Sequence, residues 1–88
     1  MRIIKKDGHE EIFKKEKVYQ SVYESCLNAH HNKKTAEDIA KKATNDVMKH
    51  LKRKATVKSD YIFKIISTLL EKYDKDAAFL YETHRDIN

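Results

Sequence analysis

Lysines 5, 6, 14, 15 and 17 crowd the opening stretch "MRIIKKDGHEEIFKKEKV", around the single glycine of the chain and beside Glu10, Glu11 and Glu16. Ammonium groups gathered this densely suit the neutralising of a polyanion such as a triphosphate. Loops that cradle phosphate on backbone N–H groups, G-x-x-x-x-G-K-[ST] or G-x-G-x-x-G, need more than one glycine, so Gly8 alone excludes both. Any phosphate bound here is held by side chains, Lys5 and Lys6 first. Lys14, Lys15 and Lys17 stand where a helix begins, and the open N–H groups of a helix start attract anions too. Glu11 can accept hydrogen bonds from a sugar or a base. The plainer alternative is a solvated hairpin whose Lys and Glu side chains pair across strands. Charge pattern alone suits that alternative better, and neither periodicity nor spacing names a ligand.

These side chains need elements to position them. Residues 2–6 and 9–13 read as two strands flanking Asp7-Gly8, a dipeptide that favours a two-residue type I′ hairpin turn. A lone hairpin is marginal in water, so its apolar residues Ile3, Ile4, Ile12 and Phe13 must be covered. Four helices are predicted to follow, over about 15–29, 35–52, 58–73 and 75–87. In the first, Val18, Tyr19, Val22, Tyr23, Cys26 and Leu27 recur at helical spacing. Thr35 with Asp38 resembles a capping box opening the second, whose inner face is Ala36, Ile39, Ala40, Ala43, Val47 and Leu51. The third buries Ile62, Ile65, Ile66, Leu69 and Tyr73, and Asp74 caps the fourth. The expected chain is mainly α, of α+β type: an N-terminal β-hairpin over 2–13 packed on a four-helix bundle, one domain across 1–88.

Composition narrows the function classes. The chain has 88 residues, a net charge of +5, a pI near 9.3 and a mean hydropathy of −0.83. The basic balance favours anionic partners such as nucleotides, nucleic acid or a membrane surface. No apolar run approaches the ~20 residues of a membrane helix, and no signal-peptide core follows Met1, so a cytoplasmic location is expected. One cysteine excludes an internal disulfide, and Cys26 reads as a small core residue. Cys26 and His30, four apart beside His31, are too few to hold zinc. The five tyrosines, at 19, 23, 61, 73 and 81, could supply a stacking surface, but their spacing is that of core-rim residues; His84 and Arg85 read as surface residues. "KHLKRKATVK" is the densest basic run; it reads as a solvated helix end, with backbone-phosphate contact to DNA or RNA as the alternative. No pairing of nucleophile and base suggests an enzyme.

In order along the chain stand Lys5-Lys6-Asp7-Gly8, Ile12-Phe13, Glu16-Lys17 and Asp74-Lys75-Asp76-Ala77-Ala78. This series resembles the ATP-cone domain, the nucleotide-sensing module of many ribonucleotide reductases and of a bacterial repressor of reductase genes. The family pattern runs Lys-Arg-Asp-Gly, a hydrophobic pair, Asp or Asn, a helix-opening Lys, and Asp-Pro-Glu-Ala-Ala before an aromatic-rich helix. The resemblance covers essentially the whole chain. It implies a non-catalytic site for ATP or dATP as bound effector, with Mg2+ as an accompanying ion, and nucleotide-driven change of oligomeric state or of a reductase or regulator partner. By position it implies that Lys5, Lys6 and Lys17 meet phosphates, that Ile4 lines the site and that Glu11 lies near sugar or base. Lys58 and Ile62 match positions facing the ligand. Lys6 in place of arginine loses a bidentate fork, Lys14 in place of Asp or Asn loses an N-cap, and Ile62 replaces a polar residue. The reading from another class is a small basic nucleic-acid-binding protein or transcriptional regulator whose lysines meet backbone phosphates.

Overall fold

In the computed structural model the backbone of residues 1–87 and the side chains of residues 1–83 are described; the surface positions expected for His84 and Arg85 lie outside those side chains. The elements are β1 (Arg2–Ile4), β2 (Glu10–Ile12), α1 (Lys15–Asn28), α2 (Lys33–Leu51), β3 (Thr56–Lys58), α3 (Ser59–Tyr73) and α4 (Lys75–Ile87). The fold is mainly α with a small sheet at its N-terminal end.

The sheet differs from the expected hairpin in two ways. β3 pairs parallel with β1, Ile3 opposite Val57, giving the order β2-β1-β3 and making β1 the central strand. Three residues, Thr-Val-Lys, are too short for alternation to register as a strand, and only their neighbour β1 makes them one. The turn is also not type I′. Lys5 N–H donates to the His9 carbonyl and Gly8 N–H to the Lys5 carbonyl, both at 2.9 Å, so Lys6, Asp7 and Gly8 form a three-residue loop. Gly8 takes φ +93°, whereas Asp7 stays out of the left-handed region. Asp7 Oδ1 instead accepts the His9 N–H at 3.0 Å, which stabilises this longer loop.

Strand alternation sorts the sheet into two faces. Ile3 packs on the helices with Val57, which is buried. Ile12, in register with Arg2 and Thr56, falls on the other face and is 65% exposed, so it is not covered as expected. Phe13, just past β2, packs on the core in its place.

Helix α2 buries Ala36, Ile39, Ala40, Ala43, Val47 and Leu51, the six residues its periodicity marks. It begins two residues earlier than Thr35 because Asn32 is the N-cap, its Oδ1 accepting the Thr35 N–H at 2.8 Å. On α3 the apolar stripe is rotated. Ile62, Ile66, Ser67 and Leu70 are buried, Ile65 and Leu69 are half-buried, and Tyr73 is exposed. Asp74 caps α4 through its Oδ1, which accepts the Asp76 N–H at 2.8 Å, and its Oδ2 lies 2.5 Å from His31 Nε2 in the α1–α2 turn. The Asp76 N–H holds the Asp74 carboxyl below the usual carboxylate range, with His31 adding to the effect against burial. That contribution is therefore present above the ordinary Asp pKa and is lost as acid protonates Asp74 through its lowered value.

Helix α1 ends in a Schellman motif, in which His31 N–H bonds to the Cys26 carbonyl and His30 N–H to that of Leu27, each at 3.0 Å. His30 occupies the left-handed position at φ +71°. Relief of this backbone cost outweighs the extra freedom of an unfolded glycine, so His30→Gly is expected to stabilise the fold by about 0.5 kcal/mol. A higher urea midpoint with an unchanged slope checks it.

Candidate functional site

A cleft of about 190 Å³ opens where the sheet meets the helices. β1 contributes Ile3, with Lys5 on the same face two residues on; α1 contributes Lys17, Val18 and Ser21. Ser59, Ile62, Phe63 and Ile66 enter from α3, and Tyr81 closes the far side from α4. Tyr81 is buried against Phe63, their rings stacked with centroids 5.5 Å apart. Lys17 and Ser59 both belong to the first turn of their helices, α1 and α3. Two helix N-termini thus border one cleft, and their positive dipole ends favour an anion there.

The charged groups at the mouth are coupled. Lys5 Nζ lies 3.4 Å from Glu11 Oε2, and His9 Nε2 lies 3.3 Å from the same oxygen. Burial pushes the Glu11 carboxyl up, but Lys5, His9 and Lys17 together outweigh it and hold the group below the usual carboxylate range. His9 also pairs through Nδ1 with Asp7. That bond raises the His9 pKa against burial, with Glu11 assisting. The His9 contribution to the hairpin is full below about pH 6.5 and fades as pH rises through the raised value.

The model of one protein family, described as the ATP cone domain, matches residues 1–87. The chain belongs to the ATP-cone family. Among curated proteins none matches it. ATP-cone domains are non-catalytic, nucleotide-binding regulatory domains whose effector is ATP or dATP.

Within this ATP-cone fold the residues expected to meet the nucleotide divide into two groups. Lys5, Lys17 and Ile62 line one cleft, and Glu11 stands at its mouth beside Lys5. Lys6 is exposed in the hairpin loop, outside the lining. Ile4 and Lys58 are in register with each other and with Glu10, on the sheet face opposite Ile3 and Lys5. Ser21, Ser59, Phe63 and Tyr81 line the cleft without having been singled out in the sequence. Ser59 had one legible signal, its place at the start of a helix; Tyr81 reads as a core-rim residue until α4 folds back over α3.

The ATP-cone helix start at Lys14 is uncapped. Lys14 is extended at φ −128° and its side chain makes no capping bond. Lys14→Asn supplies the missing acceptor and is expected to raise stability by about 1 kcal/mol. Thermal melting of the two proteins side by side checks it.

Cys26 is fully buried, and burial, with Asp74 adding to it, pushes its thiol up to about 11, which suits an inert core residue. Among the described residues no three His, Cys, Asp or Glu side chains gather to hold a metal ion. No helix among them is long and apolar enough to cross a membrane.

Proposed function

We propose that the cleft beneath the hairpin takes ATP or dATP, and that occupancy controls the oligomeric state or activity of a partner or fused protein. The observation that carries this reading is the convergence of Lys5 and Lys17, from two different elements, on a cleft walled by Ile62, Phe63 and Tyr81 and bordered by two helix N-termini. The apolar wall suits an adenine ring, and the cations with the open N–H groups suit the phosphates. At about 190 Å³ the cleft is smaller than the ~300–1,000 Å³ of a typical ligand pocket. Only part of the nucleotide therefore enters it, with the phosphates at the mouth, where Lys6 reaches them from the loop. Ile4 and Lys58, on the opposite face of the sheet, do not meet the nucleotide in this reading. Mg2+ would ride on phosphate oxygens, since Glu11 is occupied by Lys5 and His9. The domain extends over the whole of residues 1–88.

Neutralising ammonium groups that repel one another is the source of the coupling. With a polyanion between them, Lys5 and Lys17 draw β1 toward α1, and the surface around the hairpin changes with it. Micromolar affinity needs about −8 kcal/mol, within reach of several charge-assisted hydrogen bonds together with burial of a ring. Calorimetric titration with ATP, dATP and GTP, with and without Mg2+, followed by sedimentation of each mixture, tests the proposal. Saturable adenine-nucleotide binding with a shift in sedimentation supports it. Steeply salt-dependent binding of DNA with no nucleotide preference would sink it.

A further inference from the structure

The rotation of α3 that buries Leu70 leaves Ile65 and Leu69 on the flank facing α2, where they floor a groove of about 300 Å³. The groove shares no lining residue with the nucleotide cleft. Its rim carries two cations, Lys64 and Lys72, both on α3, with His50 opposite them on α2. One carboxylate, Asp46, stands in the α2 wall, its Oδ2 3.8 Å from His50 Nδ1, which bonds to the Asp46 carbonyl at 2.8 Å. Lys54 lies 5.3 Å from the ring centre of Tyr61 in the groove wall, and Lys42 lies 5.5 Å from that of Tyr73 further along α3.

We propose that this groove docks an acidic amphipathic helix of another protein, with apolar residues on Ile65 and Leu69 and carboxylates on Lys64 and Lys72. Lys64 and Lys72 are eight residues apart, about 12 Å along α3, and bracket the apolar floor. Carboxylates two turns apart on an incoming helix match that separation, and the residues between them meet the floor. The floor and the rim thus ask for both halves of one amphipathic surface. Nucleic acid fits less well. A base needs an open aromatic face, and an ammonium, Lys54 or Lys42, already stands over one face of Tyr61 and of Tyr73. The net charge of +5 adds long-range attraction for an acidic partner.

The test is selection of displayed short helices, carrying glutamate flanks and a randomised apolar stripe, on the full chain. Enriched helices should shift the amide resonances of α3 and the C-terminal half of α2. They should bind the Lys64→Glu/Lys72→Glu protein about tenfold or more weakly, with its melting temperature unchanged. Thr68→Lys adds a cation to the same groove wall and should tighten them a few-fold. The proposal is overturned by no enrichment, by helices indifferent to the double charge reversal, or by equal enrichment from a library with lysine flanks. It is also overturned if only oligo-dT shifts these resonances, or if the wild-type chain self-associates in sedimentation in a manner the charge reversal abolishes. None of these readouts depends on nucleotide.

Discussion

A Lys5→Met/Lys17→Met protein is expected to bind adenine nucleotide at least about 100-fold more weakly than the wild type. Each lysine removed takes away a charge-assisted hydrogen bond worth about 1.5–3 kcal/mol, so the pair costs about 3–6 kcal/mol, and 1.4 kcal/mol is tenfold in Kd. Methionine keeps the length of the aliphatic stem, so packing in the cleft is little altered. The Lys5–Glu11 pair is well exposed to solvent, and its loss should hardly move the melting temperature. Geometry predicts a graded series from single changes. Lys6→Met, at the exposed loop, should cost about fivefold or less, the worth of one solvent-exposed ionic contact. Lys58→Met, on the opposite face of the sheet, should leave Kd unchanged. Equal losses from all of these would mean a diffuse electrostatic effect and no cleft. Unaltered binding by the double variant would end the reading outright.

The difference between Lys5 and Lys58 shows where reading the sequence reaches its limit. Lys5 and Lys6 were legible as cations on a turn, but which of them turns inward depends on register. Register is set by the loop, and Lys6-Asp7-Gly8 is a three-residue loop although Asp-Gly suggests a two-residue one. One residue of difference moves a strand's side chains to the opposite face. β3 was invisible for another reason. Three residues carry no periodicity, and their strand character comes from β1, more than fifty residues earlier in the chain. Lys58 could therefore be placed beside α3 but not on a sheet face.

Helices fared better because a longer period averages over errors. All six inward positions of α2 were legible from spacing, and so was the Asp74 cap of α4. The N-cap of α2 was not, since Asn32 and Thr35 both qualify by type and only the bond to the Thr35 N–H separates them. The ATP-cone resemblance rested on motif order over the whole chain, and motif order does not depend on register. Family membership was therefore more legible than the position of any one site residue.

The helix in which periodicity misled gives the second large effect. Reading α3 by apolarity places Leu69 inside with Ile65 and Tyr73, whereas the fold buries Leu70 completely and leaves Leu69 half-buried. Both leucines are adjacent, both apolar, and α3 is apolar enough around its circumference that composition cannot choose its inner face. The packing partners choose: α4 folds back on α3 and brings Ala77, Ala78 and Tyr81 into the same core as Leu70. Leu70→Ala is then expected to lose about 3–4 kcal/mol, the transfer term plus a cavity that a small core cannot close. For a chain this size total stability is about 4–13 kcal/mol, so the variant falls near the threshold of folding. Its melting temperature should drop by about 12–25 °C. Leu69→Ala, losing a half-exposed side chain, should cost about 1 kcal/mol. If urea denaturation gave the two alanine variants equal midpoints, the rotation of α3 would be wrong, and with it the groove floor of Ile65 and Leu69.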